Sequence, residues 1–217
     1  MTPTPQLSLG LLLTGAAGFA DAVGFIELGG QYTSFMSGNT TQLGDALAHG
    51  LWSASLLPMS LIVLFFAGSF IGSLLALACG RRWGSSAVTG FVFACLAITM
   101  GLSLSGWPTN HFMLILAAGA GAQNAILPST GSVRLGATFV TGTLFAAGQD
   151  LARALRGVAP PWRWAQHLLV WCSLLAGALT GAIAYGAGGL NVLLIPLVVY
   201  AGFLVAFAFR PPQQIVT

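Results

Sequence analysis

"SFMSGNTTQLG", residues 34–44, is small and polar, yet it lies between two strongly apolar segments. "TFVTGTLFAAGQ", residues 138–149, repeats the pattern in the second half of the chain. Whether these segments are loops, full crossings or helices that dip part-way decides the fold.

Their surroundings belong to an integral membrane protein. Of 217 residues, 56% are hydrophobic and only 5% are charged, against about 25% charged in a soluble domain. That is too little charge to cover a water-facing surface. Several apolar segments reach the roughly 18–20 residues that cross about 30 Å of hydrocarbon as a helix. Strand-period alternation is absent, which argues against an outer-membrane barrel. The residues before the first apolar run, Met1 to Gln6, carry no positive side chain, so that run reads as a transmembrane helix and not a signal peptide.

All seven basic residues are arginines. They report topology, and no basic run with interleaved aromatics points to nucleic acid. Cys79, Cys95 and Cys172 are scattered, with no CxxC and no Cys/His pair. Neither disulfides nor zinc are expected, and no cofactor is implied. His49, His111 and His167 lie at segment boundaries without metal-ligand spacing.

Six spans are predicted, at about Ser8–Leu28, Ala54–Cys79, Ala87–Leu104, His111–Pro128, His167–Tyr185 and Leu190–Phe209. Two further segments, Gln31–Gly50 and Arg134–Arg156, are too polar and broken to be simple spans. The two halves are related. "GFADAV" (18–23) matches "GAQNAI" (121–126) at an offset of 103, and "FMSGN" (35–39) matches "FVTGT" (139–143) at 104. The GxxxG of Gly68 and Gly72 matches that of Gly177 and Gly181 at 109.

Six spans with an inside N-terminus put Arg81, Arg82, Arg153, Arg156, Arg163 and Arg210 together on the cytoplasmic side, whereas eight spans would split them. The expected architecture is therefore an all-α polytopic membrane protein, one transmembrane domain over residues 1–217. It has six transmembrane helices plus two re-entrant half-helix segments. Repeat one covers about 8–104 and repeat two about 111–209. With three crossings each, they form two inverted-topology repeats, an arrangement common in secondary transporters, with a midplane site where the repeats meet.

The first polar segment suits an extended lead-in through "GGQYTSF", then a short helix capped by Ser37 or Asn39. A helix start within the membrane presents unpaired N–H groups and the positive dipole end, which suit an anion or a carbonyl. Ser37, Gly38, Asn39 and Thr40 are thus candidate substrate contacts, mirrored by Thr141, Gly142 and Thr143. The other reading of both segments is an interfacial loop with Ser and Thr as packing glue.

Ionisable residues inside spans are costly and therefore functional candidates. Asp21 lies mid-span, and its repeat counterpart is Asn124, beside Gln123. The carboxylate suits a proton, a cation or a substrate amine, or else a structural hydrogen bond. Arg134 stands outside the cytoplasmic set, suited to steer an anion at the cavity mouth or to anchor at the interface. Glu27 at the outer end is read equally as functional or solvated, and Asp45 and Asp150 are expected to be solvated. The GxxxG faces serve helix packing within the chain first and a homodimer second. "NTT" at 39–41 fits a glycosylation sequon, but a buried position makes the match accidental.

"AGFADAVGFIELGGQYTSFMSGNTTQLG" (17–44), with "GAQNA" (121–125) and "TFVTGTL" (138–144), closely resembles the YoaK-like family of small bacterial membrane proteins. The family's usual Met-Thr-Gly-Asn is Met36, Ser37, Gly38 and Asn39 here, which keeps a hydroxyl. The resemblance implies about six transmembrane helices and an inner-membrane location, with no established general activity and no substrate. A looser likeness of architecture is to sulfate-permease and nucleobase transporters, which pair strand-plus-half-helix elements around a midplane site.

Three functions are weighed. The first is a secondary transporter of a small anionic or polar organic solute, with proton coupling through Asp21 as an option. The second is a passive channel for a small solute or ion, which would show flux without saturation. The third is a membrane scaffold or an enzyme. An enzyme is not expected, because no paired carboxylates, metal cluster or Ser/His/Asp set is present. The partners implied are a small-molecule solute and the lipid bilayer.

Overall fold

The computed structural model describes residues 4–127 and 140–209. Among them the only regular structure is helical: α1 (Thr4–Glu27), α2 (Met36–Ala48), α3 (Trp52–Ala78), α4 (Gly80–Leu104), α5 (Thr109–Phe112), α6 (Leu114–Gln123), α7 (Val140–Leu155), α8 (Arg163–Gly188) and α9 (Leu194–Ala208). A 3-10 turn, Gly189–Leu193, joins the last two. Thr4–Glu27, Trp52–Ala78, Gly80–Leu104 and the continuous run Arg163–Ala208 are each long and apolar enough to cross a membrane. α3 turns Phe66 (73% exposed), Phe70 and Leu77 outward. An apolar face of that size is stable against lipid and a liability in water. The chain is a multi-pass helical membrane protein.

The run Arg163–Ala208 does not continue straight. Gly189 adopts φ +55, a conformation that costs a residue with a Cβ far more than glycine. Before it, Tyr185 meets Glu27 near the end of α1. After it, Tyr200 shares a cavity with Ala17 and Ala20, well back along α1. The chain has therefore reversed. Gly80, at φ +65, does the same between α3 and α4. This tight joint corrects the expected start of the third span: α4 begins at Gly80, not near Ala87, and takes Arg81 and Arg82 into its first turn. The fourth expected span, His111–Pro128, is broken into α5 and α6, and its helix ends at Gln123 with Asn124 as the C-cap. Leu127 precedes Pro128, which disfavours continued helix there; Pro128 itself lies outside the described residues.

Two pairs of helices lie parallel and touch backbone to backbone through glycine. On α1 and α8, a methyl placed on Gly177 would come within 2.0 Å of the Gly15 carbonyl oxygen, and one on Gly18 within 2.4 Å of that of Leu174. On α3 and α6, a methyl on Gly68 would meet the Ala118 carbonyl oxygen at 1.9 Å, and one on Gly121 that of Phe65 at 2.1 Å. Gly181 likewise abuts Phe19, and Gly72 abuts Ala122. Each α1 partner and its α6 counterpart are 103 positions apart, and each α3 partner and its α8 counterpart 109. The remaining packing follows the same exchange: α2 packs on α3 as α7 packs on α8, and α4 packs on α9. The GxxxG faces are thus taken up inside the chain. The core between these pairs is built from Phe19, Val88, Val92, Met113, Tyr200 and Phe203 among others.

Candidate functional site

The polar segment of the first half is a non-helical lead-in, residues 31–35, bent at Thr33 and Ser34 and followed by α2. Non-helical backbone inside a helical membrane protein has no ladder to satisfy its N–H and C=O groups, so side chains must do it. Asp21 Oδ1 accepts three hydrogen bonds, from the Thr33 N–H, the Thr33 hydroxyl and the Ser34 N–H, each at 2.8 Å. Asn39, fully buried, accepts from the Tyr32 N–H at 2.9 Å and donates to the Tyr32 carbonyl at 2.6 Å. Gln42 donates to the Gly30 carbonyl at 2.9 Å. Three side chains thereby hold residues 30–34 in place. With its amide occupied and no exposure, Asn39 is not an acceptor for a glycan.

The expected capping is corrected. Phe35 occupies the N-cap of α2 with no side-chain cap, and Ser37 and Asn39 lie inside the helix. α2 begins one residue before Ser37, since Asp21 already fixes the backbone at Thr33 and Ser34.

Next to this lead-in is a small cavity, partly open to the surroundings. Its walls come from α1 (Ala17, Ala20), the lead-in (Thr33, Ser34), α4 (Val92, Cys95, Leu96), α6 (Leu116, Gly119, Ala120, Gln123) and α9 (Tyr200). Most of the lining is apolar. Gln123 donates one amide hydrogen to the Leu13 carbonyl at 2.9 Å, while its amide oxygen has no hydrogen-bond partner among the described residues. Tyr200 is 2% exposed, and its buried hydroxyl has no hydrogen-bond partner among the described residues. Leaving such a group unpaired costs about 1–3 kcal/mol.

The structure brings only some of the sequence candidates to this place. Gln123 lines the cavity, and Asp21 stands directly behind Thr33 and Ser34. Asn124 donates to the Ala120 and Gly121 carbonyls at 3.3 Å and does not line it. Ser37 and Thr40 are exposed, and Gly38 packs under the Tyr32 and Phe35 rings. Thr141 and Gly142 are exposed while Thr143 is buried. Arg134 lies outside the described residues. Thr33, Ser34, Cys95 and Tyr200 were not singled out from the sequence. Tyr200 carried a signal, as a polar-tipped aromatic in the middle of an otherwise apolar segment.

A second polar cluster joins α7 to α8. Asp150 was expected to be solvated; it is 5% exposed, because α7 packs its polar edge against the start of α8. The Arg163 guanidinium grips it in bidentate fashion, Nε to Oδ2 at 2.6 Å and Nη2 to Oδ1. His167 Nε2 is 3.3 Å from Oδ2 and Arg153 Nη1 is 3.7 Å from Oδ1. The hydrogen bond from Arg163 holds the Asp150 carboxyl below the usual carboxylate range. Asp45, by contrast, is exposed as expected. Glu27 accepts the Tyr185 hydroxyl at 2.5 Å, tying the ends of α1 and α8. Among the described residues no group of three His, Cys, Asp or Glu side chains is placed to hold a metal, and Cys79, Cys95 and Cys172 are free thiols.

The helices, the braced lead-in and the cavity define a multi-pass membrane protein with an internal, mostly apolar cavity. The family described as "Protein of unknown function (DUF1275)" matches residues 9–206, and the chain belongs to it. The UPF0700 transmembrane protein RA0705 of Rhizobium meliloti (strain 1021) is 33% identical over 211 residues, covering 95% of this chain and 89% of that one. The UPF0700 transmembrane protein YoaK of Bacillus subtilis (strain 168) is 26% identical over 153 residues, 66% of each chain. The YoaK-like resemblance read from the motifs is thus borne out. No solved structure is a significant match.

Proposed function

We propose that this protein is a secondary transporter of a small polar organic solute, and not an enzyme, located in the bacterial inner membrane with both termini in the cytoplasm. α1, α3, α4, α5 with α6, α8 and α9 serve as six crossings. α2 and α7 are read as re-entrant, since each is short, carries polar side chains and packs on the side of a long apolar helix, α3 and α8 respectively. The pairing of α1 with α8 and of α3 with α6, at constant sequence offsets, supports two repeats of inverted topology.

One observation carries the transport reading. Tyr200, whose buried hydroxyl has no hydrogen-bond partner among the described residues, lines a cavity walled by α1 and α4 of one repeat and α6 and α9 of the other. Ala17, Ala20, Val92, Cys95, Leu96 and Tyr200 lie in the central parts of α1, α4 and α9, where a site at the repeat interface belongs.

Uptake into proteoliposomes, with and without a pH gradient, tests this. Saturable uptake that a gradient accelerates supports a coupled transporter, and flux linear in concentration supports a channel. If Asp21→Asn leaves gradient-driven uptake intact, Asp21 is a brace and not the coupling group.

A further inference from the structure

We infer that α1, α7 and α8 move as one body against α2 to α6 and α9, turning on two double glycines so that the seam between the bodies opens at the end that carries Arg163. Such a motion belongs to the fold and holds whether or not the protein moves a solute.

Each body is fused within itself. In the first, Gly18, Gly177 and Gly181 bring α1 and α8 to backbone contact, the Ser173 hydroxyl donates to the Leu11 carbonyl at 2.6 Å, and Arg163 with Asp150 fastens α7 to α8. In the second, Gly68, Gly72 and Gly121 do the same for α3 and α6, α2 packs on α3, and α4 packs along α3, α6 and α9. The Ser85 hydroxyl there donates to the Ile126 carbonyl at 2.7 Å. Interiors packed this closely shift as units and do not deform continuously.

The seam is built differently. α1 meets α6 and α9 only sparingly, and the side chains it sends into the common core are apolar, Leu13, Phe19 and Val23 among them. Apolar contact is non-directional and resists sliding little. The small cavity lies on this seam, with Ala17 and Ala20 on one side and α4, α6 and α9 on the other. Two polar ties cross it. Gln123 on α6 donates to the Leu13 carbonyl at 2.9 Å, and Asp21 on α1 accepts from Thr33 and Ser34 in the lead-in to α2.

The chain passes from one body to the other after α1 and after α8, through Gly29–Gly30 and Gly188–Gly189, the only Gly-Gly pairs in the sequence. Gly29, Gly30 and Gly189 hold φ of +62, +99 and +55, where glycine alone changes conformation at little cost. The Tyr185 hydroxyl donates to Glu27 just before both pairs, so the two pivots sit together at one end of the parallel α1 and α8. Arg163 lies at the other end. Since Gln123 meets Leu13, α3 and α6 finish at that end too. The remaining crossing, between α6 and α7, lies outside the described residues. A tilt of about 10° over the roughly 30 Å of helix from Gly189 back to Leu169 moves the far end by about 5 Å.

Spin-label distances in the purified full-length protein in lipid nanodiscs test this, on a background of Cys79→Ser, Cys95→Ala and Cys172→Ala. Leu77→Cys with Leu169→Cys spans the seam at the Arg163 end, and Leu56→Cys with Ile183→Cys spans it at the glycine end; all four side chains are exposed. Leu56→Cys with Leu77→Cys, both on α3, gives the width of a rigid pair. The Leu77–Leu169 distances are expected to spread about 5 Å beyond the rigid pair, and the Leu56–Ile183 distances far less. Gln123→Met and Asp21→Ala each remove a tie and are expected to raise the share of the longer distance about threefold or more; Gln123→Met decides if Asp21→Ala fails to fold. A Leu77–Leu169 distribution as narrow as the rigid pair, in wild type and in Gln123→Met, overturns the motion. An equal spread at the two ends overturns the pivots. Counterflow in proteoliposomes is read separately: motion without counterflow keeps the moving body and removes the transport role.

Discussion

Gly68 lies so close to Ala118 that a methyl group on it would sit 1.9 Å from the Ala118 carbonyl oxygen. In the other half, a methyl group on Gly177 would sit 2.0 Å from the Gly15 carbonyl oxygen. Neither neighbour is a flexible side chain, so a larger residue must push two helices apart. Gly68→Ala and Gly177→Ala are expected to destabilise by similar amounts, on the order of 1–3 kcal/mol. Gly44→Ala and Gly142→Ala, with nothing within 4 Å, serve as controls and gain up to about 1 kcal/mol from helix propensity. Unfolding in a mild detergent measures all four. A harmless Gly177→Ala beside a damaging Gly68→Ala would remove the equivalence of the two pairs.

Asp21 separates bracing from charge. Asp21→Ala leaves the Thr33 N–H, the Thr33 hydroxyl and the Ser34 N–H without their acceptor, at a cost of about 3 kcal/mol or more. Asp21→Asn keeps an oxygen at the same place and loses only the charge assistance, about 1 kcal/mol. Folded yield and melting temperature should therefore fall in the order wild type, Asn, Ala. Equal losses in the two variants would mean that the charge, and not the acceptor, does the bracing.

Tyr200→Phe is expected to be as stable as wild type or more stable, by up to about 1–3 kcal/mol, because it removes a buried polar atom with no partner. Solute flux is expected to fall with it. Loss of stability would show that the hydroxyl has a structural partner after all, and stability gained with flux unchanged would separate Tyr200 from the solute.

Asp150→Asn weakens a bidentate contact and leaves Arg163 and His167 without a countercharge. Arg163 retains some exposure, so the expected loss is moderate, about 1–3 kcal/mol. The pH dependence has a definite sign. A carboxyl held below its unfolded pKa stabilises the fold above that pKa and loses the contribution as pH falls through the lower folded value. Wild type should therefore lose stability below about pH 4, and Asp150→Asn should show a shallower acid limb in the same melts.

Much of the architecture was legible because membrane helices are written in composition. The polar stretch at 34–44 announced a short helix after a non-helical lead-in, and offsets of 103 and 109 seen in short motifs reappear in the residues that touch. Side-chain direction was not legible. Periodicity says little in a helix that is apolar all round, so nothing marked Cys95 and Tyr200 as facing one cavity. Asp150 looked solvated because its burial depends on α7 lying against α8, a contact between elements that no local pattern reports. Asn39 read as a solute contact because its motif is polar; its amide is spent on the backbone of Tyr32.

Counterflow is the most direct test of the central claim, that the cavity beneath Tyr200 is a transport site. Proteoliposomes loaded with an unlabelled small polar solute are diluted into a trace of the same solute carrying a label, and the internal label is followed. The account predicts a transient accumulation that saturates with internal solute and is lost in Tyr200→Phe protein of normal stability. Flux that rises linearly with concentration without accumulation, or accumulation unchanged in Tyr200→Phe, would contradict it.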